Sequence, residues 1–461
     1  MSTLRTAEAR RRTESLTNQR KAVHRLCGLL GITLALAALL TGNPATAEEQ
    51  TSDQAYGYPV HNRYLATVIG TPPELQASVP SKIRLKLLDV ERFPEREVPP
   101  VFWGGDKLRY AVARQKGPAP LVFVIAGTGG NYFDSKVIFL MRALYEAGFH
   151  SVGISSPTHP SFITTASEFE MPGLPGQDAQ DIMAVMQSMR KELESQIEIT
   201  GFGLAGYSLG ATQAAFVAEI DSREKQFDFQ YVYLINPSVN LYTSAGLLDD
   251  LYQTALPEGD QSINHLVSNS LKEAVHCVHA SGRSPLGSEF LYQAIAAMHP
   301  SDVDLEGAIA TVFRLSSSNL SFTADVMTQS GKIVKPGTKL GTATNMDPYF
   351  NSSLQWSFLR YFEELLLPFW RQKLELGRPE LIKRAGLSHI QDFLAQSSHV
   401  ALVTNRDDLI LGPGDLEFLE NTFGSRATIY PWGGHCGNLE FKQNIEALQE
   451  GFRTAMAGGD E

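Results

Sequence analysis

Apolar residues along this chain follow two rhythms, short unbroken runs and longer stretches with apolar positions three or four apart. Residues 121–125 and 231–235 are unbroken runs of β-favouring side chains, which predicts strands buried on both faces of a parallel sheet. Residues 151–154, 400–403 and 427–430 read as further strands, while 83–90 and 108–113 alternate like opening antiparallel strands joined through Pro99-Pro100. Residues 135–147, 177–193, 212–220, 416–422 and 439–456 carry helical spacing. Strands alternating with helices predict an α/β fold with a doubly wound, mostly parallel sheet.

The alternation stops between Asn236 and about Ser398, too long a stretch for a plain loop in a compact domain. Helical spacing covers 247–256, 263–280, 290–298, 305–315, 354–374 and 381–395, which predicts an inserted helical subdomain. Its aromatics Trp356, Phe358, Tyr361, Phe362, Phe369 and Trp370 either form that subdomain's own core or line a pocket. Residues 48–80 are polar and irregular, with turn signals at Tyr58-Pro59 and Thr71-Pro72-Pro73, and are expected to wrap the surface.

Between a strand-like run from Ile199 and an alanine-rich helical run stands Gly206-Tyr207-Ser208-Leu209-Gly210. This is G-x-S-x-G, the nucleophile elbow, in which a sharp strand-to-helix turn holds a serine hydroxyl clear of the sheet. The pattern alone arises easily by chance, so its strand and helix context carries the reading. Gly201-Phe202-Gly203-Leu204-Ala205-Gly206 also spells the dinucleotide fingerprint G-x-G-x-x-G. That fold wants an acidic residue at the end of the next strand, where this chain has Asn236-Pro237.

The first 47 residues differ from the rest: seven basic residues against two acidic ones, an apolar run from Leu26 to Leu40, then Ala45-Thr46-Ala47. Basic region, apolar core and A-x-A site predict a secretory signal, since the run is shorter than the roughly 20 residues that span a bilayer. An uncleaved anchor is the alternative, and no stable membrane span is expected once the signal is removed. The net charge of −11 would become −16 on cleavage, which argues against nucleic acid as a partner. Cys27 lies in the signal, and pairing of Cys277 with Cys436 is left open. His276 and His279 could share a helix face without an evident third ligand, so no metal and no cofactor is expected.

The chain resembles the α/β-hydrolase superfamily of serine esterases and lipases, over roughly 120–240 and 399–455. The resemblance implies a core of residues 48–240 and 398–461 interrupted by a helical lid at 241–397. It makes Ser208 the nucleophile and His435, in Trp432-Gly433-Gly434-His435-Cys436-Gly437, the base. The acid lies after the strand that reopens the sheet, where Asp407 and Asp408 compete; Asp408, preceding Leu409-Ile410, fits the family pattern better. The oxyanion donors would be the N–H of Leu209 and one from Gly127-Thr128-Gly129-Gly130, Thr128 first and Gly129 second. Ala126 stands where the family often has His, and Ala211 where it often has a second Gly. The implied activity is hydrolysis of an ester or thioester of a small or lipid-like acyl group. An inactive hydrolase-like binding protein, or an acyltransferase or peptidase with the same triad, are the alternatives, and oligomeric state is left open.

Overall fold

The computed structural model describes residues 56–103, 107–255 and 301–457. The signal at 1–47, the helices expected at 263–280 and 290–298, His276, His279 and Cys277 lie outside those residues.

Eight strands form one sheet: β1 (Leu85–Val90), β2 (Leu108–Ala113), β3 (Ala119–Ile125), β4 (His150–Ile154), β5 (Ile199–Tyr207), β6 (Tyr231–Ile235), β7 (Val400–Asn405) and β8 (Ala427–Tyr430). Their order is β1-β2-β4-β3-β5-β6-β7-β8, with β2 antiparallel to both neighbours and every other pairing parallel. This is the doubly wound, mostly parallel sheet that the alternation of strands and helices predicts.

Successive side chains of a strand point to opposite faces, so a continuous apolar run feeds two cores at once. In β3, Leu121, Phe123 and Ile125 join one core with helices Pro175–Glu194, Leu209–Glu224 and Asp415–Phe423. Val122 and Val124 join the other with helices Ser135–Glu146 and Lys442–Ala457. Because β3, β5, β6 and β7 run parallel, their C-terminal ends lie at one rim, where the loops that follow them start.

Between β6 and β7 every regular element among the described residues is helical. Among the described residues helix Leu241–Ala255 is followed by Asp302–Thr328, more than twice as long as the expected 305–315. Its second half is rich in Ser and Thr, which weakens the apolar period that sequence reading relies on. There Ser316 and Thr323 bond back to the carbonyls of Val312 and Asn319, while Ser317 reaches Trp356 O. The single helix expected at 354–374 is instead broken into Phe358–Tyr361, a π-helical turn Phe362–Leu366 and Leu367–Leu374. Pro368, which has no N–H to give the ladder, stands two residues after the π turn. The helix expected at 381–395 likewise divides into Arg378–Arg384, a 3₁₀ turn Leu387–Ile390 and Gln391–Gln396.

The segment expected to be irregular contains helix Arg63–Ile69, capped by the Asn62 side chain. Rather than merely wrapping the surface, it buries Tyr56 and Tyr58. Tyr56 stacks on Tyr430 at 4.3 Å between ring centroids, and the Trp432 indole donates to Tyr58 O at 2.6 Å.

Candidate active site

Close backbone approach dictates the two glycines around Ser208. A Cβ on Gly206 would stand 2.2 Å from Gly210 O, and one on Gly210 would stand 2.3 Å from Ile125 O. Only glycine lets helix Leu209–Glu224 start this tightly against β3 and β5. Ser208 itself takes φ 56° and ψ −128°, a strained backbone that its N–H bond to Ile235 O at 2.8 Å helps hold.

The structure brings Ser208, His435 and Asp408 together. His435 Nε2 lies 2.8 Å from Ser208 Oγ, and Nδ1 lies 3.0 and 3.1 Å from the two Asp408 oxygens. All three are nearly enclosed, at 8%, 6% and 3% exposure respectively. Burial is the largest single influence and works against charge on the imidazole, but the Asp408 carboxylate and the neighbouring Cys436 together hold the His435 pKa above its ordinary value. Cys436, a free buried thiol with Sγ 3.9 Å from Nε2, acts in the same direction.

Asp407 does not touch His435. It accepts the N–H groups of Gly433 and Gly434 at 3.2 and 2.9 Å and so shapes the loop that presents the imidazole. Two further residues that sequence reading did not single out complete this frame. Asn236 Nδ2 donates to Asp408 Oδ2 at 2.8 Å, and Thr67 Oγ1 accepts the His435 N–H at 2.8 Å. Neither carried a local signal: they stand 172 and 368 positions from their partners.

The loop after β3 separates the two oxyanion candidates. Gly129 N–H is already engaged, donating to Thr158 Oγ1 at 2.9 Å. Ala126, Gly130, Asn131, Tyr132 and Phe133 also donate their N–H groups within the protein. Gly127 is hydrogen-bonded to the Tyr207 phenol. Among the described residues Thr128 N–H has no such acceptor, and it stands with Leu209 and Ser208 on the wall of one cavity.

That cavity runs under the helices between β6 and β7. Tyr242, Leu248, Phe313, Leu320, Phe358 and Phe362 supply its apolar wall, and no charged side chain among the described residues lines it. The insertion's aromatics share one core with Met171, Leu174 and Leu381, and within it Phe358, Tyr361 and Phe362 also face the cavity, whereas Trp356 and Trp370 do not. No group of three ligating side chains that could hold a metal is found among the described residues.

No family model matches the chain, and no curated protein matches it. Among solved structures it is similar to a thioesterase domain from the curacin biosynthetic pathway, at 14% identity over 80% of this chain and 98% of that one, with a TM-score of 0.36. It is similar to carboxyl esterase 2 of the mycorrhizal fungus Tuber melanosporum at 13% identity, over 87% and 98% of the two chains, with a TM-score of 0.41. A Pyrococcus furiosus esterase matches at 10% identity over 83% and 99%, with a TM-score of 0.37.

Proposed function

We propose that this chain, an α/β-hydrolase by fold, is a serine hydrolase that cleaves a carboxylic ester or thioester with an uncharged, apolar acyl group. The observation that carries the reading is the unbroken chain of hydrogen bonds from Ser208 Oγ through His435 to Asp408. A serine hydroxyl is a poor nucleophile unless a base takes its proton as it attacks. His435 Nε2 is at the right distance to do so, and Asp408 orients the ring and stabilises the imidazolium that forms.

As Ser208 Oγ adds to the acyl carbon, the carbonyl oxygen becomes an oxyanion, and in this reading the N–H groups of Thr128 and Leu209, both on the cavity wall with Ser208, receive it. Collapse expels the alcohol or thiol, which takes the proton from His435, and leaves an acyl group on Ser208. Water, deprotonated by the same imidazole, then releases the acid. An apolar cavity without charged side chains favours an uncharged acyl chain, because a buried carboxylate or ammonium would find no partner there.

The test is labelling with a fluorophosphonate, followed by turnover of p-nitrophenyl esters of graded chain length. Parent protein should label and hydrolyse, and Ser208→Ala should fold with the same melting temperature and do neither. Labelling retained by Ser208→Ala would move the nucleophile elsewhere. Absence of labelling in the folded parent would favour a binding protein.

The reading includes export through residues 1–47. No helix among the described residues is long and apolar enough to cross a membrane. Mass spectrometry of protein from the native host should find Glu48 at the N-terminus; an intact leader would favour an anchored form.

A further inference from the structure

We propose that Thr158 is a positioning residue for the oxyanion site: its hydroxyl engages the Gly129 N–H and thereby keeps Thr128 as the donor that faces the substrate. This rests on the serine-hydrolase reading above.

Thr158 lies in the loop after β4, and β4 pairs in parallel with β3 up to Ile125 and Ile154. The loops leaving these two strands are therefore neighbours, and they are laced together. Ala126 N–H donates to Ile154 O at 3.0 Å, and Ser156 N–H donates to Gly130 O at 3.0 Å. Tyr132 N–H donates to Ser155 Oγ at 3.1 Å. Of the cross-links between the loops, the one from Gly129 N–H to Thr158 Oγ1 at 2.9 Å engages the N–H adjacent to that of Thr128. Thr158 is itself held. Its Oγ1 is 2.9 Å from Ser156 Oγ, and its N–H donates to that same oxygen at 3.3 Å.

The arrangement matters because Thr128 and Gly129 offer adjacent N–H groups. Gly129 sits at φ 66°, a conformation open to glycine, and rotation of the neighbouring peptide would exchange which N–H points into the cavity. Thr158 is only 5% exposed, so without its hydroxyl the Gly129 N–H would lose its acceptor where little water can replace it. Relieving that loss means turning the loop, and the Thr128 N–H turns with it. Thr158 also stands on the cavity wall beside Thr128 and Ser208, so the lock operates within the site.

Thr158→Val keeps the shape of the side chain and removes the acceptor; Thr158→Ser keeps the acceptor. Removing one oxyanion donor outright costs about 10²–10³ in kcat, and a displaced donor should cost less. The expectation for Thr158→Val is a fall in kcat of about 10-fold to 100-fold with KM near the parent value. A trifluoromethyl ketone, which binds as the Ser208 hemiketal oxyanion, should lose affinity by a similar factor, and Thr158→Ser should restore both quantities. A merely structural role would lower the melting temperature without moving ketone affinity. Should Thr158→Val fold poorly, Ser156→Ala removes the support of the same hydroxyl and should give a smaller loss in the same two quantities. Unchanged kcat and ketone affinity in a variant that still labels with fluorophosphonate would overturn the role of Thr158 and leave the hydrolase reading standing. A folded parent that does not label would overturn both.

Discussion

Asn236 donates its side-chain amide to Asp408 Oδ2 at 2.8 Å, joining the end of β6 to the loop after β7. The other oxygen, Oδ1, accepts the Ile410 N–H at 3.1 Å, and both oxygens face His435 Nδ1. A carboxylate held by two donors besides the imidazole cannot rotate away from it. Asn236 adopts φ 48°, which Asn and Gly tolerate better than other residues, so Asn236→Gly removes the amide without straining the backbone. That variant should lose about 10-fold in kcat with KM unchanged, since a hydrogen bond to a charged group contributes about 1.5–3 kcal/mol. Steady-state kinetics at parent values would show that Ile410 and His435 suffice to hold the acid.

Asp408 and Asp407 are adjacent in sequence but have different tasks, and their amide variants should separate. Asp408→Asn should cut kcat by about 10⁴, the loss known for the same change in a serine-protease triad. Asp407→Asn weakens two bonds to the Gly433 and Gly434 N–H groups and should act mainly on stability, by about 1–3 kcal/mol. The pH profile gives a second readout. Activity needs the neutral imidazole, and Asp408 holds its pKa up, so the acid limb of kcat/KM should lie above about 6.5, the unperturbed value. Residual activity of Asp408→Asn should show that limb moved to lower pH; an unmoved limb would mean the limb belongs to another group.

Phe362 and Trp356 lie in the same insertion but should behave differently when truncated. Phe362 lines the cavity, so Phe362→Ala should change the ratio of kcat/KM between long and short acyl esters, each methylene being worth roughly 1–3 kcal/mol of discrimination. Trp356, 2% exposed within a core, should cost about 3–5 kcal/mol of stability on truncation and leave that ratio alone. Equal effects on selectivity would mean that the cavity is not the acyl pocket.

Asp178 makes a prediction about stability rather than turnover. Burial raises its pKa well above the carboxylate range and Asp181 adds to the rise, although bonds from Gly173 N–H and the Gln213 amide oppose it. The folded state then holds a proton that the unfolded state releases above about pH 4, so stability falls as pH rises through the window between the two pKa values. Asp178→Asn removes the titration, and its amide could donate to Gln213 Oε1, which is buried without a partner. Melting temperatures of variant and parent should therefore diverge in favour of the variant as pH rises above the ordinary carboxylate range. Parallel curves would show that Asp178 does not titrate above that range.

Much of the fold was legible in local pattern. The unbroken runs at 121–125 and 231–235 became β3 and β6, because burial on both faces leaves no position for a polar side chain. The elbow was legible for a related reason: the approach of Gly210 to the Ile125 carbonyl excludes any other residue, so the glycines print a spacing that can be read. The long helix Asp302–Thr328 was harder, because the hydroxyls of Ser316, Ser317 and Thr323 are satisfied by backbone carbonyls, Trp356 O among them, and hydropathy sees only that they are polar.

By itself the sequence determined the sheet, the identity of Ser208 and His435 as the residues to watch, and the narrowing of the acid to two neighbours, since each depends on residues close together in the chain. Only the tertiary structure set Asp408 rather than Asp407 against His435, engaged the Gly129 N–H with Thr158, and added Asn236 and Thr67 to the frame. The physical reason is that a side chain one residue away along an extended or turning backbone points elsewhere, and hydrogen bonds reaching about 3 Å depend on that direction. Composition and periodicity constrain which residues are buried; they do not say which buried oxygen faces which nitrogen.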